Sequence, residues 1–531
     1  MPWARLAAPL HALTAPPGDG RRRFAAGQGE QVYIAFLNIH GNFDAADRYW
    51  TAHPDFGGQL VYVKEVTLAL GRMGHRVDIV TRRIRDPAWP GFEAELDGYP
   101  GEPNVRIVRL ACGGDRFRRK QDLWPYIATE WVPNIAAFYR RQGASPEAAT
   151  AHYGDSGLAA ALWHRRGGPP YTFTSHSLGA QKLERLLAHN HLDLPALDEE
   201  YFFARRIAAE RVSMSRAARI ITSTEQERRE QYAHVAYAGA VDPTDTQRFA
   251  IIPPGVNLRL FDGDIRGPDD ERIAARLEQV LARDLAEGRG DLPVVICSSR
   301  LVPKKNHVGL VQAFAGSPEL QGLANLLLVV RGTEDLRHGM GLLPEEQRIM
   351  DEIVAACEAS HLWGKVCGCS LESQTELAAA YRHLAQRRSV FALPALYEPF
   401  GLAPLEAIAA GLPACVTRYG GPRESLYDAA TGTEYGVLVD PGDPDDIARG
   451  LLRLVTSPGE WRRFRDAGRQ RVVERFTWEA TARAYLDVLQ RVTEGQPPGH
   501  APLPIPAFFT DPTPENAIGL DELERCFSSE R

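Results

Sequence analysis

The chain has little of what membrane proteins and disulfide-bonded secreted proteins need. Its apolar runs fall short of the roughly 18 residues of a membrane-spanning helix. Its seven cysteines are an odd number, spread from Cys112 to Cys526, and the close pair Cys367-Gly-Cys369 lacks the spacing and partners of a zinc site. These absences argue against a membrane span and a disulfide framework, and they predict a protein of the reducing cytosol.

The sequence also lacks an excess of positive charge and two familiar glycine motifs. Its formal net charge is −7, so we expect no basic field for nucleic acid, although single Lys and Arg residues can act locally. Neither the G-x-G-x-x-G dinucleotide motif nor the Walker phosphate loop is present, which gives little support to hydride transfer or nucleotide hydrolysis. Asp262-Gly-Asp264 has the letters of a D-x-D metal motif, but its charged setting favours a solvent loop, and we assign no metal.

What the sequence does contain is enough length for two cores and a repeated alternation of strands and helices. At 531 residues it exceeds the size of a single core. Apolar, strand-like runs open each half, at 31–38 and 292–298, and helical periodicity follows over 59–70. The alternation predicts an α/β fold of two doubly wound domains, with a substrate in the crevice at the carboxyl ends of the strands. The predicted segments are a disordered extension 1–30, a first domain 31–260, a second domain 261–477, a closing helix 478–495 that packs back toward the first domain, and a tail 496–531.

The most informative segment is Glu398-Pro-Phe-Gly-Leu-Ala-Pro-Leu-Glu406. A buried strand is predicted before it and a helix around Pro404, so that free N–H groups at the helix start would bind an anion such as a diphosphate. Glu406, about one turn into the helix, could bond a ribose diol, and Glu398 in the loop could reach a hexose hydroxyl. The alternative is ordinary helix chemistry, since Glu in a first turn and a Pro/Gly loop are both common.

A second segment, Ser298 to Asn306, follows another predicted strand and places Arg300 and Lys305 at its carboxyl end. Two cations there suit a diphosphate, because breaking a sugar–phosphate bond builds negative charge on the leaving group. The alternative is a solvated basic loop.

Two segments of the first half could also contact a substrate. Gly57-Gly58-Gln59 is a glycine turn at a helix start, a suitable but common anion site. Thr174 to Gln181 nearly spells the G-x-S-x-G elbow of α/β-hydrolases, with the first glycine missing. A serine hydrolase with Ser177 as nucleophile is therefore an alternative, although it leaves the Glu398 segment unexplained. His176 either contacts a reacting group or is a hydrogen-bonded core histidine.

Two of these motifs carry a resemblance to a known family. E-x7-E at Glu398 and Glu406 is similar to the signature of retaining, nucleotide-sugar-dependent glycosyltransferases of the GT-B architecture, which has two facing Rossmann-like domains. These enzymes commonly carry R-x-x-x-x-K, here Arg300 and Lys305, with both residues on the donor diphosphate. Related sequences usually have Asp where this chain has Val302, so a hydrogen bond that would orient the loop is missing.

More specifically, the chain resembles the sucrose-phosphate synthases of the bacterial type. The resemblance covers about 31–495, extends to 505–512, and includes the segments Gly41–Asp44, His53–Val66, Gly113–Tyr126 and Gly179–Lys182. It implies that a sugar-phosphate acceptor contacts the residues Gly57, Gly58, Gln59, Lys120, Lys182, Arg205 and Arg206. Several cations on one site would select a phosphorylated acceptor, but Arg205 and Arg206 are neighbours on a helix and point in different directions.

The resemblance implies retaining transfer of glucose from UDP-glucose to fructose 6-phosphate, giving sucrose 6-phosphate and UDP. The implied donor-binding residues are Arg300, Lys305, Leu371, Glu398, Phe400, Gly401, Leu402 and Glu406. The implied catalytic residues are His176, Arg300, Lys305 and Glu398. The roles of the two glutamates are positional, and no residue is a clear covalent nucleophile.

The partners implied are small molecules, a nucleotide sugar and a sugar phosphate, with neither nucleic acid nor membrane, no metal cofactor, and an association with a sucrose-phosphate phosphatase. The strand end around Ser370-Leu371 does not distinguish UDP from GDP or ADP. A related synthase that uses GDP-mannose and a non-catalytic sugar-phosphate-binding homologue therefore stay open.

Overall fold

The computed structural model of the protein describes residues 31–49, 53, 55–189, 193–339, 341–495 and 501–528. The extension predicted for residues 1–30 lies outside these ranges. Within them, the chain forms one mainly parallel and one fully parallel sheet, each with helices on both faces.

The first sheet is built from the N-terminal half. Its strands are β1 (Tyr33–Leu37), β2 (Arg76–Arg82), β3 (Leu96–Gly98), β4 (Val105–Leu110), β5 (Ala148–His152), β6 (Tyr171–Thr174), β7 (Arg219–Thr222) and β8 (Phe249–Ile251). They lie in the order β3-β4-β2-β1-β5-β6-β7-β8, with β3 antiparallel to β4 and the other pairs parallel. All five residues of β1 are buried, as expected of a strand with helices on both faces.

Helices cover this sheet on both sides. They are α1 (Gly58–Arg72), α2 (Trp124–Tyr126), α3 (Val132–Gln142), α4 (Tyr153–Arg165), α5 (Gly179–His189), α6 (Leu194–Tyr201) and α7 (Phe203–Arg216). In α1, Leu60, Val63, Val66 and Leu70 recur at helical spacing and are buried. The helix expected over 59–70 is therefore observed, slightly extended at both ends.

The second sheet is built from the C-terminal half. Its strands, with a separate two-stranded ribbon of β14 and β15, are β9 (Val294–Ser298), β10 (Asn325–Val329), β11 (Val366–Cys369), β12 (Val390–Leu393), β13 (Ala414–Thr417), β14 (Tyr427–Asp428), β15 (Thr433–Glu434) and β16 (Val437–Val439). The sheet order is β11-β10-β9-β12-β13-β16, and every pair is parallel. β9 and β12, which precede the Arg300 and Glu398 segments, are neighbours at the centre of this sheet.

The helices of the second half are α8 (Leu258–Phe261), α9 (Asp270–Asp284), α10 (His307–Gly316), α11 (Pro318–Leu323), α12 (Pro344–Ala359), α13 (Gln374–Gln386), α14 (Leu402–Ala409), α15 (Gly421–Ser425), α16 (Pro444–Thr456) and α17 (Pro458–Arg475). The strand, turn and helix expected around Glu398 are observed as β12, a loop and α14. Since Pro404 stands inside the first turn of α14, its missing N–H costs no helical hydrogen bond.

A long helix, α18 (Trp478–Thr493), returns from the second domain to the first. Its Tyr485 is fully buried, and the phenol oxygen lies 3.1 Å from the hydroxyl of Tyr62 in α1 and 3.1 Å from that of Thr174 in β6. The chain enters and leaves the second domain side by side, because Val256 donates its N–H to the carbonyl of Phe476 at 2.7 Å. Any rotation of one domain relative to the other must therefore pivot about these two adjacent chain segments.

The tail packs on the first domain. Phe508 and Phe509 are buried, and a last helix, α19 (Asp521–Ser528), follows them. Arg216, at the end of α7, donates two hydrogen bonds, of 3.1 and 2.6 Å, to the carbonyl of Leu503. Phe509 also lies against Trp124 of α2, with ring centroids 6.2 Å apart. The tail is therefore a structural part of the first domain.

We predict that Phe509→Ala lowers the free energy of unfolding of the first domain by about 3 kcal/mol, because it removes a buried aromatic ring and leaves a cavity. Thermal unfolding followed by calorimetry should show a lower transition temperature. Thr510→Ala, a change at the exposed neighbouring position, is the control and should melt like the parent. Equal melting of both variants would mean that the tail does not support this core.

Candidate active site

The carboxyl ends of the two sheets line a common cleft of about 680 Å³. The first domain contributes residues that follow β6, and the second contributes residues that follow β9 and β12. The lining includes His176, Ser177, Lys182, Val302, Pro303, Lys304, Pro399 and Phe400. This is the crevice that the alternation of strands and helices predicted.

At the second-domain edge, the two predicted diphosphate segments meet. Lys305 lies in a 3-10 turn, Pro303–Lys305, and its ammonium group forms an ion pair with the carboxylate of Glu398. Both side chains are only 14% exposed, so each charge depends on the other for compensation. Arg300 stands at the same edge with an exposed side chain. A polyanion that enters here would meet the solvent-exposed Arg300 and the Lys305 side chain that Glu398 already holds in place.

Val302 stands where the family resemblance led us to expect an Asp. It precedes the Pro303–Lys305 turn and provides no side-chain cap to it. The turn is held instead through its backbone, since Val302 donates to the carbonyl of Arg300 at 2.9 Å and Lys305 donates to that of Val302 at 3.0 Å.

The loop that carries Glu398 is held by a pair of glycines that sequence reasoning missed. Gly421 donates its N–H to the carbonyl of Glu398 at 2.9 Å. Gly420 has φ of 92°, and a Cβ there would lie 2.0 Å from the same carbonyl oxygen, so only glycine fits. The signal available in the sequence was the Gly-Gly pair soon after a strand, now seen as β13.

The helix that follows the loop presents its start to the cleft. Gly401 adopts a left-handed φ of 93°, and α14 begins at Leu402. Phe400 is half-buried and borders the cleft. Glu406 is one turn into α14, and burial raises the pKa of its carboxyl to about 7. A group in that state binds hydroxyls well, because it exchanges between hydrogen-bond acceptor and donor near neutral pH.

The strand end at β11 is also near this edge. Ser370 accepts a hydrogen bond from the N–H of Gly332 at 2.9 Å, and its hydroxyl reaches Glu372 at 2.5 Å. Leu371 is half-buried beside it. Leu371 thus follows β11 at the same edge of the sheet as the segments of Arg300 and Glu398.

In the first domain, three cations and three aromatic rings line a small pocket. The lining residues are Lys120, Gln121, Trp124, Tyr153, Lys182, Tyr201 and Arg206. The ammonium of Lys182 lies 4.0 Å from the ring centre of Tyr201, and that of Lys120 lies 3.3 Å from a carboxylate oxygen of Asp55. Desolvation, reinforced by repulsion from Arg206 and Lys120, lowers the pKa of Lys182 to about 8. The pocket is thus rich in cations, and attraction to Glu200 and Asp55 offsets only part of this effect on Lys182.

Arg205 and Arg206 diverge, as neighbours on a helix must. Arg206 points into the pocket, where it pairs with buried Glu210 at 2.9 Å and donates to the carbonyl of Ser177 at 2.6 Å. Arg205 instead lies between the rings of Phe202 and Phe508, at 4.4 and 4.5 Å from their centres. The prediction that Arg205 joins the acceptor cations is therefore not supported, because its position on α7 turns it toward the tail.

The glycine turn before α1 opens toward the same region. Gly57 and Gly58 are exposed, and a Cβ at either position would meet nothing within 4 Å. Gln59 reaches back with its amide, donating to the side chain of Asn38 at 2.5 Å. A ligand could approach the helix start closely here.

His176 lies at the end of β6 in a left-handed conformation, with φ of 56°. Its Nε2 is 2.8 Å from Nδ1 of His152, a buried histidine at the end of β5 that sequence reasoning missed. Burial, with a smaller effect of His40, lowers the pKa of His176 to about 3. The ring is therefore neutral at physiological pH, and it can hydrogen-bond a hydroxyl without carrying charge. Strained backbone at such a point is typical of functional sites.

The surroundings of Ser177 do not support the alternative of a serine hydrolase. Within the described residues, the group hydrogen-bonded to the Ser177 hydroxyl is the guanidinium of Arg206, at 3.4 Å, which cannot accept a proton. His176, the adjacent residue, is directed to His152. The base that an activated serine needs is not in place.

Asp262 and Asp264 both form ion pairs with the guanidinium of Arg469, at 2.6 and 2.5 Å. Over the ranges that the structure covers, no cluster of three or more His, Cys, Asp or Glu has the arrangement of a metal site. The same ranges contain no helix both long and apolar enough to span a bilayer.

Comparison with known proteins places both domains. The model of the family described as "Glycosyl transferase 4-like domain" matches residues 57–244, and that described as "Glycosyl transferases group 1" matches residues 283–471. Among solved structures, a sucrose-phosphate synthase from Thermosynechococcus elongatus superposes with a TM-score of 0.62 at 23% identity, covering 88% of this chain and 100% of that one. The catalytic domain of Starch Synthase IV from Arabidopsis thaliana gives 0.60 at 16% identity, covering 88% and 100%. The predicted GT-B fold is confirmed.

Relatives found by sequence identify a more specific family within these glycosyltransferases. Sucrose-phosphate synthase 4 of Arabidopsis thaliana is 30% identical over 553 residues, which cover 94% of this chain, and the chain spans 51% of that relative's length. A protein named "Probable sucrose-phosphate synthase" from Thermosipho melanesiensis is 39% identical over 458 residues, 86% of this chain and 96% of the relative. The prediction of a hexosyltransferase is confirmed, and the chain belongs to the sucrose-phosphate synthase family of glycosyltransferases.

Proposed function

We propose that the protein transfers glucose from UDP-glucose to fructose 6-phosphate, with retention at the anomeric carbon, giving sucrose 6-phosphate and UDP. The observation that carries this proposal is the cationic pocket of Lys120, Lys182 and Arg206, which opens beside the cleft edge where Lys305 pairs with Glu398. One side suits a sugar phosphate and the other a sugar nucleotide. Membership of the sucrose-phosphate synthase family supports glucose and fructose 6-phosphate as the two sugars.

The donor would occupy the second-domain edge. Arg300 and Lys305 would neutralise the diphosphate, helped by the N–H groups of Gly401 and Leu402 at the start of α14. Glu406 would hold the ribose, and Leu371 would lie beside the base. Binding would exchange the ion pair of Lys305 with Glu398 for one with phosphate, which frees Glu398 to accept from a glucose hydroxyl.

The acceptor would occupy the first-domain pocket. Its phosphate would bind Lys120, Lys182 and Arg206, and a cation cluster of this kind discriminates against the free sugar. Gly57, Gly58 and Gln59 would close the pocket at the start of α1. The ring faces of Trp124 and Tyr153 would cover the sugar.

For the chemical step, the bond from the glucose anomeric carbon to the diphosphate oxygen breaks while a bond to the acceptor hydroxyl forms on the same face. The acceptor proton passes to the departing diphosphate, so UDP leaves with it and no glycosyl-enzyme forms. Neutral His176 supports this assignment, since it would orient a glucose hydroxyl without acting as an acid at neutral pH. The transfer needs no metal in this scheme, because the cations stabilise the leaving charge.

The test of the substrates is direct. Purified protein is incubated with fructose 6-phosphate and either UDP-glucose or GDP-mannose, and the nucleotide released is identified. We expect UDP from the first pair only. GDP release would favour the mannosyl alternative, and no release from either would indicate the non-catalytic homologue.

Two further parts of the proposal concern the cell. All seven cysteines lie in the described ranges as free thiols, which suits the reducing cytosol. A sucrose-phosphate phosphatase would act next. Hydrolysis of the phosphate ester removes the product and so shifts the transfer equilibrium toward product. Co-purification with such an enzyme would test the association.

We predict that Lys305→Ala and Arg300→Ala each lower kcat by about 10²- to 10³-fold, since each removes charge stabilisation of the leaving diphosphate. Steady-state rates of UDP release measure this. Lys365→Ala, at the opposite edge of the second sheet where Lys365 bonds Gln321, is the control and should turn over normally. Near-parental kcat in both site variants would place the diphosphate elsewhere.

We also predict a pH dependence of acceptor binding. The lowered pKa of Lys182, about 8, means that the free enzyme loses this cation as pH rises through 8, whereas the acceptor phosphate, with a pKa of about 6, is already ionised. Thus kcat/KM for fructose 6-phosphate should fall above pH 8, mainly through KM.

Lys182→Arg is the matched variant, because its charge persists to far higher pH. Its profile should stay flat between about pH 7 and 9.5. Lys182→Ala should show a raised acceptor KM at every pH. A parental profile in Lys182→Arg would assign the pH effect to another group.

A further inference from the structure

One carboxylate joins the two domains directly at the cleft. Glu424, in α15 of the second domain, accepts the backbone N–H of Glu225 at 2.8 Å on one oxygen and that of Gln226 at 2.8 Å on the other. Glu225 and Gln226 follow β7 of the first domain. Both oxygens are matched to two adjacent donors, so this contact, here called the Glu424 bridge, has a defined geometry.

On the second-domain side, the Glu424 bridge is tied to the donor loop. α15 starts at Gly421, whose N–H holds the carbonyl of Glu398 at 2.9 Å. Glu398 in turn donates its N–H to the carbonyl of Tyr419 at 3.3 Å. The two backbones lie in close contact, since a Cβ at Gly420 would be 2.0 Å from the carbonyl oxygen of Glu398. A displacement of Glu424 therefore displaces the loop that carries Glu398.

On the first-domain side, the bridge is tied to the strand end that carries His176. The residue after Gln226 is Glu227, whose carboxylate accepts the N–H of Ser223 at 2.8 Å and the hydroxyl of Ser175 at 3.3 Å. Ser175 immediately precedes His176. The side chain of Glu225 pairs with Arg229 at 2.8 Å, while its backbone N–H donates to Glu424.

We propose that Glu424 is a positioning residue that sets the alignment of Glu398 on one domain with His176 on the other when the cleft is closed. It acts through backbone and does not touch either substrate. The inference rests on the proposed function, since alignment of these two residues matters only for a sugar held between them. In the open protein, water would replace Glu424 at the two N–H groups.

The chemistry makes the glutamine variant informative. Glu424→Gln keeps the shape but turns one acceptor into an NH₂ group that opposes an N–H, so one of the two charge-assisted hydrogen bonds is lost and the other is weakened. Glu424→Ala removes both. Glu230→Gln, an exposed carboxylate of the same first-domain segment, is the matched control.

The experiment measures kcat, both KM values and the Kd of UDP for the parent and the three variants. We expect Glu424→Gln to lose about tenfold or more in kcat, and Glu424→Ala at least as much, while the Kd of UDP alone stays within about twofold, since the donor site lies on one domain. Glu230→Gln should match the parent. Unchanged kcat in Glu424→Gln, or a Kd of UDP weakened by the same factor as kcat, would overturn the inference.

A parent enzyme that releases no UDP from UDP-glucose and fructose 6-phosphate would contradict the proposed substrates rather than the bridge. X-ray scattering then decides: Glu424→Ala should have a larger radius of gyration than the parent and Glu230→Gln should not. Equal radii in all three proteins would overturn the inference by itself.

Discussion

The close approach of backbone between Gly421 and the Glu398 carbonyl is the constraint on which the rest of the site depends. It fixes the loop between β12 and α14 against the chain that leaves β13. With the loop fixed, Glu398 can meet Lys305 from the neighbouring strand, and Gly401 can turn the chain into α14. The glycine pair is required because any side chain at Gly420 would fill the space that the carbonyl occupies. The backbone of a loop held this way is already in place before a substrate arrives.

Charge is arranged differently on the two sides of the cleft. In the first domain, Arg206 is balanced by Glu210 and Lys120 by Asp55, while Lys182 lies over an aromatic ring. Desolvation of that ammonium is a cost that a bound phosphate would offset. In the second domain, Lys305 is already paired within the protein, so a diphosphate must displace a carboxylate rather than fill a vacancy. In the proposed binding mode, a dianion in the first-domain pocket would relieve Lys182, whereas one at the second-domain edge would first break an ion pair.

Much of the fold followed from local pattern, and much of the site did not. The strands before Arg300 and Glu398 are continuous apolar runs, which made β9 and β12 predictable, and parallel strands bring their carboxyl ends to one edge. His152 gave no such signal, because its role comes from a contact with His176 across neighbouring strands. Arg205 was predicted for the pocket but lies between Phe202 and Phe508, since the direction of a helical side chain depends on helix rotation, which the sequence alone did not fix.

The paired glutamates show that residue type alone does not determine the role of a side chain in a site. Two carboxylates near a sugar suggest a glycosidase, in which one acts as acid and the other as nucleophile. Here Glu398 is paired with Lys305, and in the proposed donor complex it turns to a glucose hydroxyl rather than to the anomeric carbon. Glu406 has the raised pKa of an acid but lies in a helix one turn from the proposed diphosphate site. In the proposed complex the two glutamates therefore contact different parts of the sugar nucleotide, and they favour two hydroxyl contacts over a proton relay.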